Sequence, residues 1–372
     1  MAAIALPTIT GKVECRRVDV GGGRGIFASA DIPAGTVVMA EEPLLHVSAS
    51  EVRPGETWHF AVARCVLQSE RRAALLERIR SLHPQCLADL SPDVLERAAS
   101  LQAAAAAELA NAATPPTSRE EALLLLLKMQ MNAFESGVYI GLALVNHHCF
   151  PNCIKFGPGE RSCGSTGASA RGAASATWCT RSEIVAVRDI RAGEEVAISF
   201  LGALERSAAA RAALFRRQHL VDLEPQPQGG RPVSAELEAF LPGVEAEVAQ
   251  QALCDLEAWL DGEDPDAAEA TASAARTALE QLLTAEDRAA RFLHPRHLVL
   301  CRLRRRMTRA ARALLAAAPE PRAAELLVRA AGEVRATQSL FLPATHLDAA
   351  EAAEDLAVGL AAMLAADRAR LF

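Results

Sequence analysis

The sequence predicts an α+β protein: a strand-rich part split by a helical insertion, followed by an all-helical C-terminal region. Three observations predict it. Residues 11–47 and 137–201 carry short β-branched runs broken by Gly and Pro turns. Residues 50–136 are rich in Arg, Glu and Ala, the composition of helices. Beyond "EPQPQGGRP" at 224–232, apolar residues recur at helical spacing. With 372 residues the chain is long enough for two domains and a sizeable core.

Taken in order, residues 11–47 read as two short strands separated by turns at "GGGRG" and "IPAG". "TVVMAEEPLLHV" ends against Pro43, which suits an edge or a strand terminus. In the helical insertion, the loop "ATPPTS" precedes "REEALLLLLKMQMNAF", and Thr117-Ser118 followed by Glu120-Glu121 forms a helix start. "CIKF" and "TWCTRSEIVAVRDI" read as partners of a hairpin. Between them "GPGERSCGSTGASARGAASA" has no apolar pattern and reads as a flexible insertion. After the linker, Val244, Val248, Ala252, Leu256 and Leu260 define one helix face, and Leu356, Leu360, Met363 and Leu364 another. Helices divided by "GEDPD", "AAAPEPR" and "FLPATH" suggest a helical-hairpin array without a strict repeat.

A net charge of −7 and a pI near 5.8 argue against a general nucleic-acid binder. Lysine occurs only at 12, 128 and 155. Nine cysteines, an odd number without a Cys-x-x-Cys pair, read as reduced buried thiols of a cytosolic or nuclear protein. The N-terminus lacks a signal-peptide pattern, and no apolar run approaches the ~20 residues of a membrane span, so a soluble protein without a membrane partner is expected.

The segment "YIGLALVNHHCFPNC", Tyr139 to Cys153, runs apolar and then turns abruptly polar. Zinc is one reading, but adjacent His147 and His148 do not readily share one ion, and Cys149 and Cys153 lack a second pair at a plausible distance. A Cys-His nucleophile needs an electropositive, exposed thiolate, whereas Cys149 sits in apolar sequence. "GGGRG" without a following Lys-Ser/Thr is a weak phosphate-cradle signal and a good strand-to-strand turn. The basic run "CRLRRRMTRAAR" reads as a solvated helix face, with Leu303 and Met307 on the buried side.

Three stretches in one order are more specific than any of these. "GGGRGIFASADIPAGTVVMAEEPLL" is followed by "LVNHHCFPNC" and then by "EIVAVRDIRAGEEVAISFLG". Together they resemble the SET domain of the protein-lysine methyltransferases that use S-adenosylmethionine (SAM). The long insertion after "EEPLL", the "MNAF" segment, "GALERSAAARAALFRRQHL" and the helical C-terminal region resemble the SMYD branch in layout. The resemblance implies small SET-type sheets with knot-like threading and a helical-hairpin, tetratricopeptide-like C-terminal domain. Its implied division is a SET domain over 11–220, a linker at 221–232 and a helical domain over 233–372. Within the SET part, it places strands at 11–47, the insertion at 48–130, the core at 131–202 and a closing helix at 203–220.

By the same resemblance Gly22, Gly23, Arg24, Asn132, Asn146 and His147 hold SAM. Asn146 is expected to read adenine and to have no other partner. Phe134 lines an apolar channel for the target lysine of a protein or peptide substrate, and Phe200 stands at the transfer centre. No metal is implied, and a monomer is the expectation. The chain departs from the family pattern in several places. Residues 48–130 hold only Cys65 and Cys86, too few for a MYND zinc finger, and no cysteine cluster follows "RRQHLVDL". "AISFLG" puts Phe200 where the family has its catalytic tyrosine, and Tyr139 is the only tyrosine in the chain. The resemblance therefore implies a methyltransferase slowed by Phe200; the alternative is a non-catalytic SET-fold protein-interaction module, with or without SAM.

Overall fold

The structure is a computed structural model that describes residues 8, 10–18, 23–112, 117–134, 137–157, 181–201, 205–223, 235–262, 271–342 and 346–371. The chain divides into two compact units: residues 1–200 with 212–226, and residues 201–211 with 227–372. The insertion read at 157–176 lies, from 158 on, outside the described residues, as does Gly22.

In the first unit, "GKVECRRV" and "RGIFA" pair as β1 (Val13–Arg17) and β2 (Arg24–Ala28). A third strand, β3 (Val37–Glu41), follows the "IPAG" turn, so the N-terminal stretch makes three strands where its sequence reads as two. The two later strands β8 (Ser182–Ala186) and β9 (Glu195–Ile198) split these first three between sheets. One sheet has the order β1-β2-β9-β6, with β6 being Asn146–His147. The other has the order β3-β8-β7, and its β7–β8 pair (β7, Cys153–Phe156) is the hairpin expected from "CIKF" and "SEIVA". Two-residue strands β4 (Ala133–Phe134) and β5 (Gly137–Val138) form a third, minimal sheet. Ile26, Val38, Met39, Leu142, Ile184 and Ile198 fill the core of these sheets. Each such side chain contributes about 1.5–3 kcal/mol through removal from water.

The insertion folds as α1 (Trp58–Gln68), α2 (Arg72–Ile79), α3 (Pro92–Ala112) and α4 (Arg119–Asn132) around a core of its own, with Phe60, Val66, Leu75, Leu109 and Met129. Helix α4 starts at the residues its sequence marks: Ser118 Oγ accepts from Glu121 N and the Glu121 carboxylate accepts from Ser118 N, a reciprocal cap. Helix α5 (Ala208–His219) begins among residues of the second unit, and its later half belongs to the first.

The second unit contains α6 (Ala246–Gly262), α7 (Ala272–Ala289), α8 (Leu298–Ala317), α9 (Pro321–Gln338) and α10 (Leu347–Leu371). Here the helix faces differ from their sequence reading. Val248 is 60% exposed, and α6 buries Ala249, Leu253, Glu257 and Leu260 instead. The reason is Glu257, whose carboxylate accepts from Ser207 N and Oγ; a satisfied acid on the inner stripe breaks the apolar period. On α10, Leu360 and Leu364 are exposed, while Ala352, Asp355 and Gly359 face inward. A side chain at Gly359 would meet Val328 Cγ2 at 2.8 Å, so close helix approach selects the smallest residue there.

The basic run is not a solvated face. Arg302 pairs with Asp261, Arg304 with Glu286 and Glu333, Arg305 with Glu205, Asp348 and Glu351, and Arg312 with Glu354 and Asp355. Arg304 is buried, and Arg309 is the exposed arginine of the run. A linear pattern of like charge cannot reveal carboxylates that arrive from five other segments.

Candidate active site

The apolar-to-polar switch in "YIGLALVNHHC" is built by a carboxylate. Glu41, at the end of β3, accepts from the backbone N–H groups of Ile140, Gly141 and Leu142 at 3.0, 2.9 and 2.8 Å. That acceptor set anchors a 3-10 turn at Leu142–Leu144, whose end residues are buried, and the turn hands the chain to β6. Strand β6 lies parallel to β9, with Asn146 opposite Ala197 and His147 opposite Ile198. The pair thus reaches the sheet beside the last strand, although "VNHH" and "EVAISF" are far apart in sequence.

Asn146 is not the unpaired amide its sequence reading expects. Its Nδ2 donates to Arg24 O at 3.1 Å and to Glu195 Oε1 at 2.7 Å, tying β6 to β2 and β9. Gly25 makes this approach possible: a Cβ there would lie 2.9 Å from Asn146 Nδ2 and would also strike the Glu195 carboxylate. Asn152, the second Asn of "NHHCFPN", is buried and fully used. It donates to Glu195 O at 2.7 Å and to Glu194 Oε1 at 3.3 Å, and its Oδ1 accepts from Ala197 N at 2.9 Å. The motif therefore holds β9 in register from both ends.

The loop after α2 collects the other predicted residues. Arg24 donates to Ser81 O at 3.0 Å, and Asn132 Nδ2 donates to His83 O and to Lys128 O. Lys128 adds bonds to Arg80 O at 3.2 Å and to Leu82 O at 2.8 Å. Its ammonium sits where the last carbonyls of α2 need donors, and burial lowers its pKa to about 8. Arg24, Asn132 and Asn146 are thus brought together around β2 and this loop. Gly23 stands beside them; a Cβ there would meet nothing within 4 Å.

An aromatic cluster adjoins the pair. His147 Nδ1 accepts from Phe200 N at 3.0 Å, and the two ring centroids are 5.5 Å apart. Phe200 packs edge-on against Phe134, and Phe134 against Tyr139, at 6.0 Å each. Phe215 and His219 of α5 complete the group: His219 lies 5.3 Å from the Phe200 ring and 4.7 Å from Phe215. The only tyrosine, Tyr139, is fully buried with its hydroxyl 2.7 Å from Ser182 Oγ. It is built into the core.

His219 Nδ1 is buried without a hydrogen-bond partner among the described residues, and burial lowers the pKa of the ring to about 4. It is neutral at physiological pH. Desolvation likewise lowers His148, whose Nδ1 accepts from Phe150 N, and raises the buried Cys153 thiol, which makes it an inert packing group. Among the described residues no group of three or more His, Cys, Asp or Glu is placed to hold a metal ion, and no helix is long and apolar enough to cross a membrane.

Sequence reasoning missed Gly25, Glu41, Asn152, Glu195, Phe215 and His219. Gly25 and Asn152 lie inside the quoted motifs, so position within a motif was their available signal. Glu195 and Glu41 are ordinary acids until the sheets form. Phe215 and His219 sit in "LFRRQHL" with nothing local to mark them.

No curated protein matches the chain. Among solved structures, the SET domain of LSMT bound to lysine and AdoHcy overlaps 98% of this chain and 89% of its own, at 13% identity and a TM-score of 0.34, too loose an overlap to bear on chemistry. The model of one family, the SET domain, matches residues 23–201, a span that begins at the open Gly23 and ends one residue beyond Phe200. Within that span, just under half of the chain, lie the glycine strand, the Asn146-His147 pair, Phe134 and Phe200, and it is to a SET domain that this part of the chain is similar.

Proposed function

We propose that this chain binds SAM in its SET domain and transfers a methyl group to lysine in a protein or peptide. The observation that carries the reading is the convergence of Asn146-His147, the Gly23 edge and the Phe134–Phe200 cluster at the start of β2 and the end of β9. Room for such a ligand lies along the backbone at Gly23, beside the turn that Arg24, Asn132 and Asn146 hold through their bonds to Ser81 O, His83 O and Arg24 O. When bound, SAM supplies an electrophilic sulfonium methyl. Phe134 and Phe200 offer an apolar wall, which disfavours the ammonium form of an incoming lysine and keeps more of it neutral. The Phe215 and His219 rings close the far side of Phe200, supporting α5 as the element that replaces a zinc-bound closing segment. The SMYD-like layout, the knot-like threading of β6 and the tetratricopeptide-like stacking of α6–α10 belong to the same reading, as do a cytosolic or nuclear location and a monomeric state.

Phe200 favours a second reading, a non-catalytic SET module that binds SAM or a partner, because the hydroxyl expected at that position is absent and Tyr139 is committed to Ser182. One experiment separates them. Titration calorimetry with SAM is expected to give measurable binding for the wild type and for Phe200→Tyr alike. Transfer of labelled methyl to lysine in a lysate is expected to be slow in the wild type and faster by about 10²-fold in Phe200→Tyr, the scale of one preorganised donor. Binding without transfer by either form would establish the second reading; no SAM binding would remove the first.

A further inference from the structure

Lys155 is one of only three lysines in the chain, and its placement differs from that of the other two. Lys12 reaches Asp31 O, and Lys128 caps the carbonyls after α2. Lys155, on β7, holds its Nζ 4.8 Å from the centroid of the Phe134 ring and 5.8 Å from that of Tyr139. Phe134 is the ring that meets Phe200 edge-on. An alkylammonium of this chain therefore already lies on the aromatic wall proposed to receive a substrate lysine. Ring faces attract such a cation by about 0.5–2 kcal/mol.

We propose that Lys155 is the resident amine of this aromatic slot and that the chain methylates it in cis. The proposal rests on the methyltransferase reading above. The step balances simply: Lys155 Nζ first loses a proton to water, and its lone pair then forms the N–C bond as the sulfonium S–C bond breaks. The products are a protonated N-methyl-lysine and the neutral thioether S-adenosylhomocysteine. The β7–β8 pairing holds the Cα of Lys155 opposite Ile184, so the amine is delivered from within the sheet. A further consequence is competition: while Lys155 lies on Phe134, an external lysine must displace it.

The test has two arms. Without SAM, n-butylammonium is titrated into the full chain and followed by NMR; Lys155→Gln, which removes the internal cation, is expected to bind it several-fold more tightly than the wild type. Equal affinity would overturn the shared slot. In the second arm, protein is incubated with SAM carrying an isotopically labelled methyl and mapped by peptide mass. The label is expected on Lys155 and absent from Lys12 and Lys128, at a rate per molecule independent of protein concentration. Lys155→Arg, which keeps the side chain's length and charge, is expected to lose the label and retain SAM affinity. Calorimetric SAM binding with Lys155 unlabelled, or labelling whose rate scales with concentration, would overturn self-methylation in cis. Absence of SAM binding would instead sink the methyltransferase reading, with the first arm still reporting on the slot.

Discussion

The sheets of the first unit and the helices of the second bury polar groups in opposite ways. In those sheets, the polar centre around β9 is built mainly from amides: half-buried Asn146 and buried Asn152 spend their hydrogens on Arg24 O and Glu195 O, and on the Glu194 and Glu195 carboxylates. In the helical unit it is built from whole charges, with Arg304 against Glu286 and Arg305 against Glu205 deep among helices. Amides fix backbone register at little electrostatic cost. Paired charges tie helices together but depend on every partner staying in place, because an uncompensated buried charge is expensive. Precision of the strands carries the site, whereas charge pairing carries the scaffold.

The largest expected effect attacks the charged centre. Arg305→Met keeps the aliphatic bulk but strips Glu205, Asp348 and Glu351 of a shared partner. The helical unit is expected to lose about 3–5 kcal/mol, read as a fall in the urea midpoint. A change below about 1 kcal/mol would mean that Gln338, which also donates to Glu205, suffices alone. Asn152→Ala is the counterpart in the first unit. It removes three hydrogen bonds around β9 and is expected to cost about 1–3 kcal/mol, the range for stranded buried partners. Since Asn152 sets the register of Glu195 and Ala197, its loss should also weaken SAM binding while leaving the helical unit's midpoint alone; midpoints moving together would break the comparison.

The smallest effect concerns acid. His297 is buried at the start of α8, where its Nδ1 accepts from Val299 N, and burial lowers its pKa to about 4 from 6.5. Between those values the unfolded chain takes up a proton that the folded chain refuses, so stability falls as pH drops from about 6.5 to 4. His297→Asn keeps a capping acceptor and removes the titration. Its melting temperature should therefore lose roughly 2–4 °C less than the wild type's between pH 7 and 4.5, on the scale of about 1 kcal/mol.

Local chemistry made part of this legible from the chain alone. The capped start of α4, the β7–β8 hairpin and the Asn146-His147 pair were readable because each is encoded within a few neighbouring residues. What escaped depends on residues meeting across long separations. The true inner face of α6 contains Glu257, acceptable there only because Ser207 supplies two donors. The arginines of α8 look like a solvated stripe until Asp261, Glu286, Glu333 and Asp355 are placed beside them. Asn146 was recognised by its motif, yet its protein partners could not be, since Glu195 faces it only through the parallel β6–β9 pairing.

The interleaving of the units along the chain has a consequence for dissection. Residues 201–211 belong with the helices, although 212–226 return to the first unit. No single cut therefore yields both units whole. A fragment starting after the linker would leave behind Glu205, Arg206, Ser207 and Arg211. Arg305, Asp261, Glu257 and Glu238 would then face empty space where their partners had been. Such a piece is expected to be expressed as a swollen, dye-binding helical ensemble, whereas one carrying residues 201–372 would melt cooperatively.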